Sequence, residues 1–436
     1  MGYVGLCTAA TFASRGIRTI GIDIDEERID KIRKGSAPIH EPQLDGMLNK
    51  AVKDKLLDAT TDITYVADTD TTFLTVGTPS RKDGSIDLRF LKQAVIDLGD
   101  SLWKKGGYHL VVVKSTVVPG TTSNVVKPIL EDHSETKLGL SLGLCANPEF
   151  LKEGTAINDA LHPDKIVIGS SDKKSAAKLT KLYKTFYQGE LPPLIVTNPE
   201  SAELVKYASN AFLATKISFI NTIANIAQQT PGVDVGTVAE AIGLDPRIGE
   251  LFLKAGPGYG GSCFHKDIQA LINYSNTRGY APVLFQATEE TNEKQATRVV
   301  DMAEKLLGSL SDKKIAVLGL AFKKDTDDIR EAASLRVISQ LKKRGAQVIA
   351  YDPMAIPNAK KTLSGQIVYA ENPRSTLKGA DCAVIMTEWD QFRKLKPQDF
   401  QALMKTPNVV DGRRIYDPDK FKQLNYVAIG LGPANH

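Results

Sequence analysis

The sequence lacks the features that mark several classes of protein. No apolar run approaches the length needed to cross a bilayer, and no basic, apolar and small-residue pattern opens the chain as a leader would. No block of Lys or Arg indicates nucleic-acid binding, and a formal charge of +4 suits an anionic small ligand. The cysteines are few and far apart, without metal-ligand spacing: Cys7, Cys145, Cys263 and Cys382. We therefore expect a cytoplasmic protein with reduced thiols that binds neither a membrane, a nucleic acid nor a metal.

What the chain does contain is enough apolar sequence for two or three cores, since 436 residues exceed what one core can hold. Its N-terminal part alternates short β-branched runs with amphipathic stretches, which is typical of a parallel sheet covered by helices. The predicted strands are residues 19–23, 71–76, 110–114, 142–146 and 165–168, and the predicted helices include residues 26–34 and 90–104.

The middle and the C-terminal part differ from this opening. Residues 200–229 contain neither Pro nor Gly, and their apolar residues recur at helical spacing, which predicts one helix of about 45 Å that joins domains or subunits. Strands at residues 314–319, 347–351, 383–387 and 409–410, with a helix at residues 330–344, then repeat the opening pattern. The predicted fold class is α/β, with two Rossmann-like doubly wound domains (residues 1–196 and 301–436) joined by a helical central dimerisation domain (residues 197–300).

The first residues resemble the latter half of a dinucleotide-binding loop. Gly2, Tyr3, Val4 and Gly5 open a helix, as in the second part of a GxGxxG motif, where glycines let the backbone approach a pyrophosphate. Half of this motif is weak alone, and a tight turn explains it equally well. The next predicted strand ends in Asp23, an acid at the distance expected for a ribose-binding carboxylate, which favours NAD over NADP.

The same motif departs from its pattern at the start of the chain. Its first glycine and the strand before it are missing, because Met1 already lies inside the loop. A Rossmann sheet without that strand would expose apolar helix faces. We therefore expect either that upstream residues belong to the natural protein or that the start was assigned late.

The most informative run of residues carries a cysteine. A glycine-rich segment at residues 256–261 is followed by Ser262 and Cys263 and then by a predicted helix at residues 266–274. Because a helix N-terminus and nearby cations lower the pKa of a thiol, this position predicts a nucleophilic thiolate. The other three cysteines are interpreted as small buried hydrophobic residues.

Two further pairs of polar residues are candidates for chemistry. Lys206 and Asn210 lie four residues apart on the predicted long helix and share one face, which neighbouring apolar residues make a buried surface rather than a solvated one. A buried ammonium needs an anionic partner, and a developing alkoxide would serve. Glu149 and Glu153 follow a strand end, where they are either helix-cap residues or a base and a sugar contact.

Several short runs resemble, in the same order, those of the UDP-glucose 6-dehydrogenases in the UDP-glucose/GDP-mannose dehydrogenase family. The resemblance covers nearly the whole chain. It implies that two successive hydride transfers to two NAD⁺ convert UDP-glucose to UDP-glucuronate. The runs are residues 2–5, 114–117, 147–154, 162–169, 206–210, 258–267, 322–323, 327–330 and 387–389.

The resemblance also implies the roles of the catalytic residues. Cys263 would form a thiohemiacetal with the aldehyde and a thioester after the second oxidation. Lys206 and Asn210 would stabilise the oxyanions. Thr116 and Asp267 would hold a water that is used in proton transfer.

Further roles are implied in the same way. Glu149 would assist hydrolysis of the thioester, and Arg247 would reach into a neighbouring subunit's site, so the enzyme is expected to be at least a homodimer. His265 stands at a position that varies in the family, and no role is expected for it. The implied cofactor contacts are Gly2, Tyr3, Val4, Gly5, Asp23, Arg28, Thr78, Thr116, Glu153 and Arg330. The implied substrate contacts are Glu149, Phe150, Leu151, Lys152, Glu153, Lys206, Asn210, Arg247, Tyr259, Gly260, Phe322, Lys323 and Arg413.

Two alternatives remain open at this point. GDP-mannose 6-dehydrogenases share the run at residues 147–153 and the cysteine loop, but residues 162–169 and 387–389 favour UDP-glucose. The UDP-N-acetylmannosamine enzymes usually carry Arg where this chain has Phe150, which argues against them. A non-catalytic nucleotide-sugar-binding protein is the alternative from another class, and the intact set of catalytic residues argues against it.

Overall fold

A computed structural model describes the chain over residues 1–103, 105–363, 365 and 367–434. No helix within those residues combines the length and the apolar character that crossing a membrane requires. The backbone contacts divide the chain into two compact units, which are described separately. The first unit is Met1–Ser209 with Gln269–Thr277, and the second is Asn210–Ile268 with Arg278–His436.

In the first unit, short strands alternate with helices along the chain. Its central strands are mostly apolar and almost wholly buried, which suits a sheet covered on both faces. The strands are β1 Thr19–Ile22, β2 Leu57–Thr60, β3 Thr71–Leu74, β4 His109–Val113, β5 Leu142–Ala146, β6 Ile166–Ser170 and β7 Leu194–Thr197. The helices are α1 Tyr3–Ser14, α2 Glu26–Arg33, α3 Leu44–Lys53, α4 Arg89–Leu102, α5 Lys127–His133, α6 Ala156–Leu161 and α7 Lys173–Phe186.

These strands form two sheets. β1 and β2 pair in parallel, and the other five strands follow the order β3-β4-β5-β6-β7. Every neighbouring pair in the larger sheet is parallel except β5 and β6, which are antiparallel. The five strands predicted from the sequence are confirmed. β2 and β7 were not predicted: β2 contains the polar Asp58, and β7 is partly exposed.

The predicted helices of this part are also confirmed. Residues 26–34 correspond to α2 and residues 90–104 to α4, although Lys104 lies outside the described residues. α1 contributes to two hydrophobic clusters of the unit. Its Leu6 belongs to the cluster with α2, α3 and β2, and its Phe12 belongs to the cluster with β4, β6 and α7.

The middle of the chain is helical. It contains α8 Pro199–Ala227, α9 Val235–Gly243, α10 Phe264–Thr277 and α11 Val283–Leu307. α8 is the predicted long helix, and its 29 residues begin at a proline, which suits the first helical position because the N–H there has no partner in the helix. The part of α8 up to Ser209 belongs to the first unit and the rest to the second.

The second unit contains one parallel sheet of six strands. They are β8 Lys314–Leu318, β9 Gln347–Tyr351, β10 Val368–Tyr369, β11 Cys382–Ile385, β12 Asn408–Asp411 and β13 Asn425–Ala428. The helices around it are α12 Ala333–Lys343, α13 Ile356–Thr362, α14 Pro373–Leu377, α15 Asp390–Arg393, α16 Pro397–Leu403 and α17 Pro418–Phe421. The strand order is β10-β9-β8-β11-β12-β13, so the order reverses between β8 and β11. This doubly wound arrangement confirms the fold predicted for the C-terminal part.

Alternate residues of β8 enter separate cores on the two faces of this sheet. Ile315 and Val317 belong to the cluster with α11 and α12. Ala316 and Leu318 belong to the opposite cluster, with Phe392. In such sheets, ligands bind outside the carboxyl ends of the strands where the strand order reverses. The loops after β8 and β11 are therefore the place to look for a ligand site in this unit.

Candidate active site

The helix N-terminus predicted to hold a pyrophosphate is present in the first unit. α1 begins at Tyr3, with Gly2 as its extended cap residue, so Val4 and Gly5 lie in the first helical turn rather than in a loop. A Cβ on Gly5 would lie 2.6 Å from Thr75 Oγ1, and the helix can therefore pack this closely only with glycine there. No described side chain caps α1, which leaves its first N–H groups open to an anion.

Asp23 follows β1 and Arg28 lies in α2, and the structure brings these two predicted cofactor residues together. The Asp23 carboxylate lies 3.1 Å from Arg28 Nη1 and 2.6 Å from the amino nitrogen of Met1. An acid in this position can bind ribose hydroxyls, and the uncapped start of α1 can bind a pyrophosphate. These residues therefore fit the adenosine half of NAD.

Two more of the predicted cofactor residues meet after β3 and β4. Thr78 Oγ1 donates a hydrogen bond of 2.7 Å to the carbonyl oxygen of Thr116. Tyr3 has a structural contact instead, because its hydroxyl donates to Glu41 and accepts from the Gly154 N–H at 3.2 Å. The start of α1 is thereby tied to the segment after β5.

A buried ion pair lies at the carboxyl end of β5. Glu149 Oε1 is 3.0 Å from Lys206 Nζ, and both residues are buried. The Leu151 N–H donates to the other Glu149 oxygen at 2.5 Å, and the Phe150 ring centroid lies 5.6 Å from Lys206 Nζ. The predicted burial of Lys206 is confirmed, and Glu149 is its anionic partner. Such a pair can hold an oxyanion and can also transfer a proton.

A second buried lysine beside this pair was missed in the sequence reasoning, which considered only Thr116 in its motif. Lys114 Nζ donates to Asn147 Oδ1 at 3.1 Å, and the Tyr183 hydroxyl donates to the same oxygen at 2.5 Å. Burial lowers the pKa of Lys114 to about 8, with Glu149 opposing the shift and Lys206 adding to it. A lysine directly after the apolar run Leu110–Val113 was the available signal.

The residues after Glu149 surround a cavity of about 260 Å³ in the first unit. Phe150, Leu151 and Lys152 all line it, together with the Lys114 side chain. Lys152 is exposed and pairs with Asp159 at 3.2 Å. The predicted substrate residues 149–152 therefore share one concave surface, whereas Glu153 of the same run does not line it.

In the second unit, Cys263 directly precedes α10. Its carbonyl oxygen accepts the first hydrogen bond of that helix, from the Asp267 N–H at 2.8 Å, and its thiol is exposed. Ser262 Oγ lies 3.5 Å from Cys263 Sγ. The predicted position at a helix start is confirmed, and this position favours the thiolate.

The remaining cysteines behave as the sequence predicts. Cys7, Cys145 and Cys382 are fully buried, and burial raises the pKa of each thiol to about 12. They are therefore unreactive core residues. In the part of the chain that the structure describes, no group of three or more His, Cys, Asp or Glu side chains is arranged to hold a metal ion.

Asp267, in the first turn of α10, is buried against α8. Asn210 Nδ2 donates to Asp267 Oδ2 at 2.6 Å, and Lys266 Nζ lies 2.5 Å from Oδ1. Lys206 comes one helical turn before Asn210, so one face of α8 carries both an ammonium and an amide. The structure thus joins two of the predicted catalytic residues, Asn210 and Asp267, through a direct hydrogen bond.

The residues predicted to bind the nucleotide collect where the strand order of the second sheet reverses. Arg413, after β12, donates from Nε to the Met386 carbonyl at 2.7 Å and from Nη2 to the Phe322 carbonyl at 2.8 Å. Lys323 Nζ lies 5.5 Å from the centroid of the Phe322 ring. Gly261 has φ +84°, and a Cβ there would lie 2.9 Å from that ring, so glycine lets the cysteine loop approach.

Two predicted arginines make local ion pairs. Arg330 pairs with Asp328 at 2.7 Å, and its carbonyl oxygen accepts the N–H of Gly261 at 2.8 Å. Arg247 pairs with Asp245 at 2.6 Å, while its side chain is 87% exposed. Arg247 is therefore exposed at the surface of the chain.

A set of contacts beside Cys263 was not predicted, although one of its members, Tyr259, is an implied substrate contact. Tyr259 is buried, and its hydroxyl donates to Glu289 of α11. His265, which was given no role, also pairs with this carboxylate, at 2.5 Å. The partner could not be chosen from the sequence, because Glu289 is one of several acids in an amphipathic helix.

Three models of one family match consecutive parts of the chain. The NAD binding domain of the UDP-glucose/GDP-mannose dehydrogenase family matches residues 1–187, its central domain residues 200–294 and its UDP binding domain residues 316–418. The chain belongs to this family. The resemblance inferred from the short motifs is thereby confirmed, as is NAD as the cofactor.

Relatives that match over almost their whole length agree with this membership. A UDP-glucose 6-dehydrogenase of Haloferax volcanii is 45% identical over 95% of both chains. One from Bacillus subtilis is 41% identical over 99% of this chain and 91% of its own. The structure of a UDP-glucose dehydrogenase from Pyrobaculum islandicum has a TM-score of 0.91 at 39% identity, covering 99% of this chain and 96% of that one.

Proposed function

We propose that the chain is an NAD-dependent UDP-glucose 6-dehydrogenase, which oxidises the C6 alcohol of UDP-glucose to the carboxylate of UDP-glucuronate. One observation carries the proposal: an exposed thiol, Cys263, stands at the start of α10, whose first turn carries Asp267, a buried residue that accepts a hydrogen bond from Asn210 of α8. The full-length relatives that are named for this activity support it.

The reaction removes four electrons in two steps. The first oxidation yields an aldehyde at C6, and the Cys263 thiolate adds to that carbon, so that a C–S bond forms and the carbonyl oxygen becomes an oxyanion. The second oxidation converts this thiohemiacetal to a thioester, which water cleaves to the carboxylate and the thiol. When bound, NAD accepts the hydride in each oxidation.

The residues of the chain hold charge and protons during these steps. Lys206 stabilises the oxyanion as an ammonium, and Asn210 does so as an amide donor. Glu149, which is paired with Lys206, takes up the proton as water attacks the thioester. Thr116 and Asp267 hold the water that transfers protons.

Binding is divided between the two units. In the first, the start of α1 takes the pyrophosphate of NAD, and Asp23 with Arg28 takes the adenosine ribose. A carboxylate there repels a 2′-phosphate, so NAD⁺ is preferred over NADP⁺. In the second, Phe322, Lys323 and Arg413 take the UDP group, since cationic side chains suit a diphosphate.

The proposed enzyme is a homodimer in a reducing cytoplasm. α8 exposes Phe212, Phe219 and Ile226 at a spacing of seven residues, which places them on one face of the helix, and Leu251 is exposed as well. A two-fold copy of the chain is the commonest cover for such a face. Arg247 would then complete the neighbour's site. The four cysteines form no disulfide bond, as expected of a protein in a reducing cytoplasm.

A panel of nucleotide sugars tests the substrate and the two alternatives. UDP-glucose with NAD⁺ is expected to yield two NADH for each UDP-glucuronate, with little turnover of GDP-mannose or with NADP⁺. Faster oxidation of GDP-mannose would identify a GDP-mannose 6-dehydrogenase. Binding of UDP-glucose and NAD⁺ without any NADH would identify a non-catalytic binding protein.

Cys263→Ala tests the covalent scheme. This variant is expected to form no UDP-glucuronate, while calorimetry shows nearly unchanged binding of UDP-glucose and NAD⁺, because only the nucleophile is lost. Cys382→Ala, which removes a buried thiol of the second unit, serves as the control and is expected to keep its activity. Acid formation at the wild-type rate by Cys263→Ala would rule out the thioester.

A further inference from the structure

Two side chains of the second unit meet at one buried carboxylate. Glu289 lies on α11 and is almost fully buried. One of its oxygens accepts a hydrogen bond from the Tyr259 hydroxyl, and the other lies 2.5 Å from His265 Nδ1. The proposed reaction scheme uses neither His265 nor Glu289, so this cluster requires an explanation of its own.

The two partners of Glu289 stand on either side of Cys263 in the sequence. Tyr259 precedes it in the glycine-rich loop, and His265 follows it in the first turn of α10. Asn292, also on α11, accepts the Tyr259 N–H at 2.7 Å and donates from Nδ2 to the Tyr259 carbonyl at 3.2 Å. α11 therefore holds both ends of the segment that carries the thiol.

We propose that Glu289 is a positioning residue for Cys263, which it holds at the start of α10 by fixing Tyr259 and His265 together. A fixed segment keeps Sγ where the helix N-terminus stabilises the thiolate. It also keeps Sγ in one place for attack on the aldehyde carbon. The inference rests on the proposed function only in taking Cys263 as the nucleophile.

Opposite charges on His265 and Glu289 favour the contact between them. Pairing with Glu289 raises the pKa of His265 above its usual value, although burial opposes the shift, so the contact favours the imidazolium form. A buried carboxylate that lost this cation would be left with an uncompensated charge, which is strongly unfavourable. The other charged groups that face or flank His265 are Glu331, Arg336 and, on its own helix, the paired Lys266 and Asp267.

Alkylation by iodoacetamide reports on this thiol without substrate or NAD. The folded protein is expected to react at Cys263, because the other three cysteines are fully buried. Cys263→Ala then gives the background rate of alkylation. Because only the thiolate reacts, the midpoint of the rate against pH reports the pKa of the thiol.

Two pairs of variants separate positioning from a direct effect of charge. Glu289→Leu and His265→Leu remove charges of opposite sign, so a direct electrostatic effect shifts the two midpoints in opposite directions. Loss of positioning raises both midpoints, because the thiol leaves the helix N-terminus. Glu289→Gln and His265→Gln retain a hydrogen bond, and both are expected to return the midpoint towards the wild-type value.

Steady-state kinetics give a second measure of the same effect. Both Leu variants are expected to lower kcat for UDP-glucose by about 10- to 100-fold with little change in KM, since a misplacement of about 1 Å can cost 10²-fold. His133→Leu is the matched control, because His133 pairs with Asp100 at 2.8 Å and is 32% exposed against 31% for His265, but belongs to the first unit. Its midpoint and kcat are expected to stay unchanged.

Midpoints that move in opposite directions, or that do not move, would overturn the proposal. If Glu289→Leu fails to fold, Glu289→Gln and His265→Leu decide the question. In that case, a midpoint below the wild-type value in Glu289→Gln contradicts positioning. An unchanged midpoint in Glu289→Gln together with a raised midpoint in His265→Leu supports it. If the wild-type chain does not oxidise UDP-glucose, the proposed function fails while the alkylation result still stands.

Discussion

At the scale of the residue, the described part of the first unit contains two buried lysines with different partners. Lys206 pairs with the carboxylate of Glu149, whereas Lys114 donates to the amide oxygen of Asn147. Burial lowers the pKa of Lys114, because an amide dipole compensates a buried ammonium less completely than a directly paired carboxylate does. Lys206 is therefore the lysine that a carboxylate compensates directly, and Lys114 is the lysine whose charge changes near pH 8.

Lys206→Met keeps the length of this side chain but removes its ammonium. If Lys206 stabilises the oxyanion, kcat for UDP-glucose should fall by about 10²–10³-fold with a smaller change in KM, as for other oxyanion donors. Lys137→Met, which removes an exposed lysine paired with Glu131, is the control in the same assay. A change confined to KM would instead make Lys206 a binding residue.

Lys114 leads to a prediction about stability and pH. Its pKa of about 8 in the folded chain lies below the usual 10.5, so between these values the unfolded chain holds a proton that the folded chain has released. The free energy of unfolding therefore rises with pH across this window, and below it the buried ammonium lowers that free energy. Lys114→Met should thus stabilise the first unit at pH 7 and lose this advantage by about pH 10.

Urea-induced unfolding at both pH values measures this difference. In a Trp389→Phe background, the fluorescence of Trp103 reports the first unit alone, because the chain has two tryptophans. Lys137→Met again serves as the control and should show no difference that depends on pH. An advantage of Lys114→Met that stayed constant from pH 7 to about pH 10 would contradict the prediction.

At the scale of the element, the glycine-rich loop packs closely against the backbone of the segment before α12. A Cβ on Gly260 would lie 2.4 Å from the carbonyl oxygen of Glu331 and 3.1 Å from Ala332 Cα. These are backbone atoms, which cannot rotate away as a flexible side chain can. The loop that carries Cys263 therefore tolerates no side chain at this point.

Two Gly→Ala variants test this, because they are expected to change the stability of the protein in opposite directions. Gly260→Ala should destabilise the second unit by about 1–3 kcal/mol, as overpacking does. Gly46→Ala, in α3, where a Cβ meets nothing within 4 Å, should stabilise the first unit by about 0.5–1 kcal/mol through its helix propensity. Thermal unfolding of both variants measures the difference, and a shift of Tm in the same direction would refute the argument.

At the scale of the whole molecule, the exposed apolar face of α8 predicts the oligomeric state. Phe219→Asp should lower the mass measured by light scattering from a dimer to a monomer, because a charge in the middle of that face cannot be covered by a second copy. Leu140→Asp is the control, since Leu140 is 72% exposed but lies in the first unit, away from α8 in the sequence. A Phe219→Asp protein that kept the dimer mass would place the interface elsewhere.

Mixing of inactive subunits shows whether Arg247 acts across that interface. Arg247→Ala and Cys263→Ala subunits are combined under conditions that allow exchange. If the arginine serves the neighbour, some mixed dimers pair an intact cysteine with an intact arginine, and partial activity returns. Mixed dimers without activity would place Arg247 in its own subunit's site or in none.

Local sequence patterns were enough to predict the elements and the position of the nucleophile. β5 and β9 occupy the predicted residues, because an apolar run between polar residues encodes a buried strand directly. α8 lies close to its predicted bounds, since a long stretch without Pro or Gly has one periodic apolar pattern. Cys263 at a helix start follows from the glycines before it. The division into domains at residues 196 and 300 stays a prediction.

Contacts between residues that are distant in sequence became known only from the tertiary structure. Glu149 as the partner of Lys206, the antiparallel pairing of β5 with β6, and the contact of His265 with Glu289 each join segments that are distant in sequence. Periodicity shows which face of an element is buried, but it does not show which other element covers that face. The choice among several acids of similar local context is made by packing, so the geometry around Cys263 became visible only in the folded chain.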